Sequence, residues 1–232
     1  MDEKNNDRIK VMEILNRSQY NDEIIDGLDM SNLDLTFSDL SEVMAEGIMA
    51  KQVHLRASSL MRASFFDCDF EFADFRSCNL EEIHIADCRF GEANFSKANM
   101  KYAKLNISSC FETCFDEVDF SYGELVGTIL NHATFRRANL YKIDAKQADC
   151  TGTDFSSANL TEGNFEKSYL GNANLSEVNA RSANFTNADF TGATLLNANF
   201  TGAKLDNVVW KGAKVEGAKF DENVKEQILK MI

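Results

Sequence analysis

From Met30 to Phe220 every fifth residue of this chain is apolar, without a slip in register. These 39 positions hold 14 of the 18 phenylalanines and 14 leucines, and none is polar, so a period of five is built into the sequence. A repeat of this kind sets the architecture before any local propensity does. A second regularity lies two places before each apolar centre. There, 17 of the 39 residues are Ala and 12 more are Cys, Ser, Thr or Gly. Charge falls almost wholly on the other three positions. Each pentad therefore predicts one large and one small inward residue and three that face solvent.

A period of five fits neither the two of a strand nor the 3.6 of a helix. It fits a four-sided coil with one pentad per side, so that twenty residues return the chain to its starting side. Every twentieth residue then forms a column. One column runs Leu35, Leu55, Phe75, Phe95, Phe115, Phe135, Phe155, Leu175, Leu195, Val215, an internal stack. Another runs Asn79, Asn99, Asp119, Asn139, Asn159, Asn179, Asn199, a solvent-facing row of short polar side chains able to bond turn backbone. Coils stacked at the spacing of neighbouring strands bond through their backbones, and the absence of proline leaves those amides free to do so. Gly127, Gly152, Gly192, Gly202 and Gly212, each two places after a centre, suit turns that need φ > 0.

Ala158-Asn159-Leu160-Thr161, Ala183-Asn184-Phe185-Thr186, Ala188-Asp189-Phe190-Thr191-Gly192 and Ala198-Asn199-Phe200-Thr201-Gly202 resemble the A(D/N)LXX consensus of pentapeptide-repeat proteins. The resemblance covers residues 28–222. It implies an all-β solenoid, a right-handed quadrilateral β-helix, here of nearly ten coils, and it implies little about activity.

The open ends of a solenoid need covering. Residues 1–27 are expected to form an N-terminal capping helix and lead-in. Ile9, Met12, Ile14, Leu15 and Tyr20 recur at roughly helical spacing there, with Asn6 or Asp7 as cap. Residues 28–222 form the solenoid. Residues 223–232 read as a short C-terminal helix, with Val224, Ile228, Leu229, Met231 and Ile232 either sealing the last coil or pairing two copies as a homodimer. The dimer is what the quinolone-resistance members of the family imply.

Net charge is −13 and uneven. Residues 22–124 carry 21 acids and 8 bases, whereas 125–220 carry 9 and 10. Phosphate contact needs Lys and Arg, so direct nucleic-acid binding by the first half is disfavoured. No run of 18 apolar residues spans a membrane. The opening MDEKNNDRIK has no basic stretch leading into an apolar run, and a reduced cytoplasmic setting is expected. In that setting the six cysteines read as core. Cys68, Cys78, Cys88, Cys110 and Cys150 are at inward positions and only Cys114 faces solvent. Cys68 and Cys78, ten residues apart, fall on opposite sides, so no zinc site is expected.

No residue pattern points to catalysis, a cofactor or a metal. His54, His84 and His132 lie on three different faces with no nucleophile placed beside them. Asp67-Cys68-Asp69-Phe70-Glu71 with Asp74 resembles the spaced carboxylates of a calcium loop, but the Gly and terminal Glu of that loop are missing. These acids read as a solvated surface. The stretch 105–130 keeps register yet puts Ile107, Phe111, Val126 and Ile129 at outward positions on neighbouring coils, and Phe66 and Phe72 stand among the acids Asp67 and Asp69. An exposed apolar cluster rimmed by charge is a contact surface. The expected function is thus a non-enzymatic scaffold that binds an unidentified protein through its acidic first half and mid-rod patch. The family resemblance implies an alternative, a DNA mimic that binds gyrase or topoisomerase IV. The neutral second half and the lack of projecting loops weigh against it.

Overall fold

In a computed structural model, which describes residues 3–228 and 230–231, the centre of each pentad turns inward and the chain closes a four-sided coil every twenty residues. Each residue before a centre pairs in parallel with the residue twenty places on, from Ile24 with Met44 to Asn199 with Lys219. The architecture is the quadrilateral β-helix expected from the repeat. The four sides are labelled by their inward stacks in chain order. Side A holds Phe70 and Phe90, side B Phe75 and Phe95, side C Leu80 and Phe120, and side D Phe65 and Leu105.

The coils are not uniform. On side D the first five returns lengthen into three-residue strands, β1 (Ile24–Asp26), β2 (Met44–Glu46), β3 (Ser64–Phe66), β4 (His84–Ala86) and β5 (Lys104–Asn106), which pair in order as one parallel sheet. Elsewhere each side contributes a single bridging residue and then a turn. In that turn the amide three places after the centre donates to the centre's carbonyl, as Leu33 N–H does to Met30 O at 3.3 Å. The residue between them has φ > 0, as at Asn32 (φ 60). That is the type II pattern, which favours Gly or Asn. The glycines at this position do have positive φ, but so do Asp67, Phe72 and Ile107. For Ile107 (φ 57) the conformation is strained, because a β-branched side chain crowds the left-handed backbone.

The core is a set of stacks. Phe75, Phe95, Phe115, Phe135 and Phe155 lie ring on ring, with successive centroids 4.5, 4.9, 4.7 and 5.3 Å apart. Small polar residues two places before a centre are mostly paired, Ser38 Oγ being an exception. Thr113 Oγ1 donates to Phe90 O at 2.7 Å and Thr153 Oγ1 to Leu130 O at 2.8 Å. The asparagine column differs from the solvent-facing row expected. As expected it bonds turn backbone, Thr161 N–H donating to Asn159 Oδ1 at 3.2 Å, but apart from exposed Asn179 it is half-buried and in part bonds along itself, with Asn99 Nδ2 to Asn79 Oδ1 at 3.1 Å and Asn159 Nδ2 to Asn139 Oδ1 at 3.0 Å. A 20-residue repeat brings amide to amide, so a ladder forms.

Helix α1 (Glu3–Asn21) covers the first coil. Its polar side chains meet that coil's edge carbonyls, which have no lower neighbour. Arg8 Nε donates to Asp34 O at 2.8 Å, and Gln19 Nε2 donates to Ser41 O at 2.8 Å. Val11 and Leu15 are buried on the face of the helix that meets the coil. Tyr20 and Ile9 are exposed instead of packed, and at the helix end Ser18 takes the inward place and bonds Glu23 O at 2.6 Å. Asn6 and Asp7 lie inside the helix rather than capping it. At the other end α2 (Glu222–Ile228) sits on the last coil. No described helix is long and apolar enough to cross a membrane.

Candidate functional site

The pentad register decides where each outward residue stands. Phe66, Ile107 and Val126 occupy the corner between sides D and A, Ile129 lies on side A itself, and Phe72 and Phe111 occupy the corner between A and B. The structure therefore gathers both groups of outward apolar residues on one side of the rod. Met49 and Tyr169, which the sequence reading missed, are exposed on the same side, in the column of Ile129. Ile107 is the most exposed of the group at 72%, and Val126 is half-buried. Phe111 is fixed from beside by His132, whose ring meets it edge-on at 5.9 Å.

Acids line both corners. Asp67 and Asp87 stand on the D–A corner, twenty residues apart, and Glu92 and Glu112 form the matching row on the A–B corner. None of these four makes an ion pair among the described residues. Acids on the corner after side B are neutralised, by contrast: Asp116 meets Arg136 at 3.0 Å and Glu117 meets Arg137 at 2.8 Å. Asp69 departs from the solvated acid expected. It is 5% exposed and ion-paired to Arg89 at 2.8 Å and Lys51 at 3.1 Å. Burial opposes its ionisation, but the Arg89 hydrogen bond, the Glu71 amide and Lys51 outweigh it and hold the carboxyl below its usual range. The calcium-like acids do not converge either, since Asp74 lies on side B and chelates Arg76.

The pentapeptide-repeat family profile matches residues 51–82, 78–106, 113–149, 142–176, 168–207 and 183–221. The chain is a pentapeptide-repeat protein. The matched stretches skip 107–112, the segment that holds Ile107 and Phe111. Among solved structures, HetL, a pentapeptide repeat protein involved in heterocyst differentiation regulation from Nostoc sp. strain PCC 7120, is 19% identical. That alignment covers 90% of this chain and 96% of HetL, with a TM-score of 0.40. Full-length QnrB1, a plasmid-mediated fluoroquinolone resistance protein, is 14% identical over 89% of this chain and 95% of its own, with a TM-score of 0.38. A pentapeptide repeat protein of the Arabidopsis thaliana thylakoid lumen is 21% identical over 49% of this chain and 75% of its own, with a TM-score of 0.28. A comparison with curated proteins gives no match.

Like its Phe stacks, the cysteines of this pentapeptide-repeat protein follow the register. Five are buried, and Cys114 is half-buried, 3.2 Å from Ser96 Oγ. Burial pushes the Cys78 thiol up to about 12. Cys68 and Cys88, twenty residues apart, stack on adjacent coils, and Cys68 N–H donates to Cys88 Sγ at 3.3 Å. Cys78, ten residues from Cys68, lies across the coil, so the close neighbour of Cys68 is Cys88. No metal-ligand group occurs among the described residues. A second outward aromatic group was also missed. Tyr102 and Tyr122 stack at 5.2 Å on the corner after side C, and Lys142 stands over Tyr122 and Tyr141 while pairing with Glu162. The twenty-residue spacing of Tyr102 and Tyr122 was the available signal.

At the C-terminal end Val224 and Ile228 turn onto the last coil and Met231 is exposed. Leu229 and Ile232 lie outside the described residues. A cleft of about 470 Å³ remains between α2 and the coil, lined by Leu205, Trp210, Val224, Ile228 and Met231 among others.

Proposed function

We propose that this pentapeptide-repeat protein is a non-enzymatic scaffold in a reducing compartment, and that side A with its two corners is the face that binds another protein. The observation that carries this reading is the coincidence, on one side of the rod, of exposed Phe66, Phe72, Ile107, Phe111 and Ile129 with acids that have no internal cation. Exposed apolar side chains set among charged ones on one side of a rod make a contact surface. Affinity capture from native lysate by the wild type, Phe111→Glu and Ile129→Lys tests it. Partners held by the wild type are lost by both variants. Retention of every partner by both sinks the reading.

The acid excess of the first half favours a second reading, a DNA-like rod that occupies the DNA-binding surface of a type II topoisomerase. The ion pairing on the corner after side B works against it, because DNA-like charge has to surround the rod. Gyrase supercoiling at low salt separates the two: neither inhibition nor protection by purified protein removes the topoisomerase reading. A homodimer through the C-terminal tail is a further part of this proposal, with Met231 as the exposed apolar contact.

A further inference from the structure

Resting on side A as the contact face, we infer that its occupant is a cationic amphipathic α-helix of a partner protein, lying along the rod axis. Repeat spacing is the first argument. Coils rise by ~4.8 Å, and a helix brings the same face forward by about 5.4 Å per turn. Each turn of a docked helix therefore meets one coil across the three coil steps from Phe66 to Val126, about ten residues of helix. An extended peptide repeats its face every ~6.7 Å and falls out of step after one coil.

Shape is the second argument. A side spans roughly three extended residues, about 10 Å, close to the ~10–12 Å diameter of a helix with side chains. Between the coils of Phe66 and Phe72 below and Ile107 and Phe111 above lies one coil in which Asp87, Arg89 (paired to Asp69) and Glu92 are charged, while the small residues Ala86 and Gly91 leave a notch on each corner. A side chain at Gly91 would meet nothing closer than Glu71 Cγ at 3.7 Å, so packing does not require the glycine, and its φ is not positive. The notch is open to a partner's side chain.

Charge is the third argument. Asp67 and Asp87 stand in the column that Ile107 continues, and Glu92 and Glu112 in the column of Phe72, so two acidic rows run through the corners that carry the apolar residues. Their complement is a helix whose contact face presents Lys or Arg toward both corners and apolar residues toward Ile107, Phe111 and Ile129.

Panning a displayed library of random 14-residue peptides against the folded full chain tests the inference. Enriched sequences should place apolar residues at i, i+3 or i+4 and i+7, carry net positive charge, and gain helical circular dichroism on binding. Affinity should fall about tenfold or more with Phe111→Glu, an anchor loss, and with Gly91→Leu, which fills the notch. The quadruple Asp67→Asn, Asp87→Asn, Glu92→Gln, Glu112→Gln should weaken binding and remove its salt dependence. Thermal melting verifies that each variant is folded, since all these side chains lie on the surface. Enrichment of alternating or proline-rich peptides, no enrichment, or binding indifferent to Gly91→Leu and Phe111→Glu overturns the helix. If Phe111→Glu nonetheless loses a partner from lysate, the contact face stands and only its occupant is wrong. If that variant keeps every partner, both fail.

Discussion

The imidazole of His132 stands edge-on to Phe111, with ring centroids 5.9 Å apart and planes at 85°, and it occupies the space over Gly152 in the next coil. A Cβ added at Gly152 would lie 2.6 Å from His132 Nδ1. Gly152 → Ala therefore strains the backbone (φ 69) and also displaces the ring that positions Phe111. Gly127, with φ 65 and nothing within 4 Å of an added Cβ, isolates the backbone effect. Gly127→Ala should cost about 1–2 kcal/mol. Gly152→Ala should cost more and alone lower partner capture. Equal melting temperatures for the two alanine variants would refute the packing role of His132.

Ile107 combines φ 57 with 72% exposure. Replacing it by glycine removes left-handed strain of order 1–2 kcal/mol and forfeits little burial. Ile107→Gly should raise the melting temperature by a few degrees while weakening the contact. Strained residues cluster where a structure serves a function. A lowered melting temperature would show that the isoleucine is structural.

Asp69 links pH to stability. Its folded pKa lies below the ordinary 3.8, so its contribution is present above that value and is lost as pH falls through the folded pKa. Asp34, Asp39, Asp74 and Asp149 shift the same way, so denaturant midpoints should drop as pH falls from about 4. Asp69→Asn should be less stable at pH 7, where Arg89 and Lys51 lose their carboxylate, and should show a shallower fall below pH 4. An unchanged slope would place the acid sensitivity in the other carboxylates.

Trp210, 3% exposed, packs against Phe190 and Phe220 beside α2 and is the single tryptophan of the chain. Ile228→Asp should release α2, shift Trp210 emission to the red and lower stability by about 2–5 kcal/mol. Met231→Glu should leave emission unchanged and, where the tail joins two copies, convert a dimer to a monomer by sedimentation. A monomer in both wild type and Met231→Glu removes the dimer.

Much was legible because a five-residue period leaves no alternative side for the centres. Phe95 and Phe115 had to stack once twenty residues closed a coil. The outward positions of Phe66, Ile107 and Phe111 followed from the same count. Asp69 was misread because its place before a centre is outward by register but flanked by the long side chains of Lys51 and Arg89, one coil away on either side. Register gives direction, whereas cover depends on neighbours twenty residues distant. The helical ends were least legible. Short amphipathic segments take their inward face from what they cover, so Ser18 rather than Tyr20 turned inward once edge carbonyls needed a partner.

The sequence alone determined the interior: which residues are buried, in what stacks, and that the chain forms a rod. Only the tertiary structure decided the surface. It showed which acids are neutralised by an arginine in the next coil, that Gly152 makes room for His132, and how far Ile107, Phe111 and Ile129 stand exposed. The reason is physical. Burial of the centres is a local consequence of the period, but pairing and exposure of the outward residues depend on side-chain reach between coils, which no period encodes.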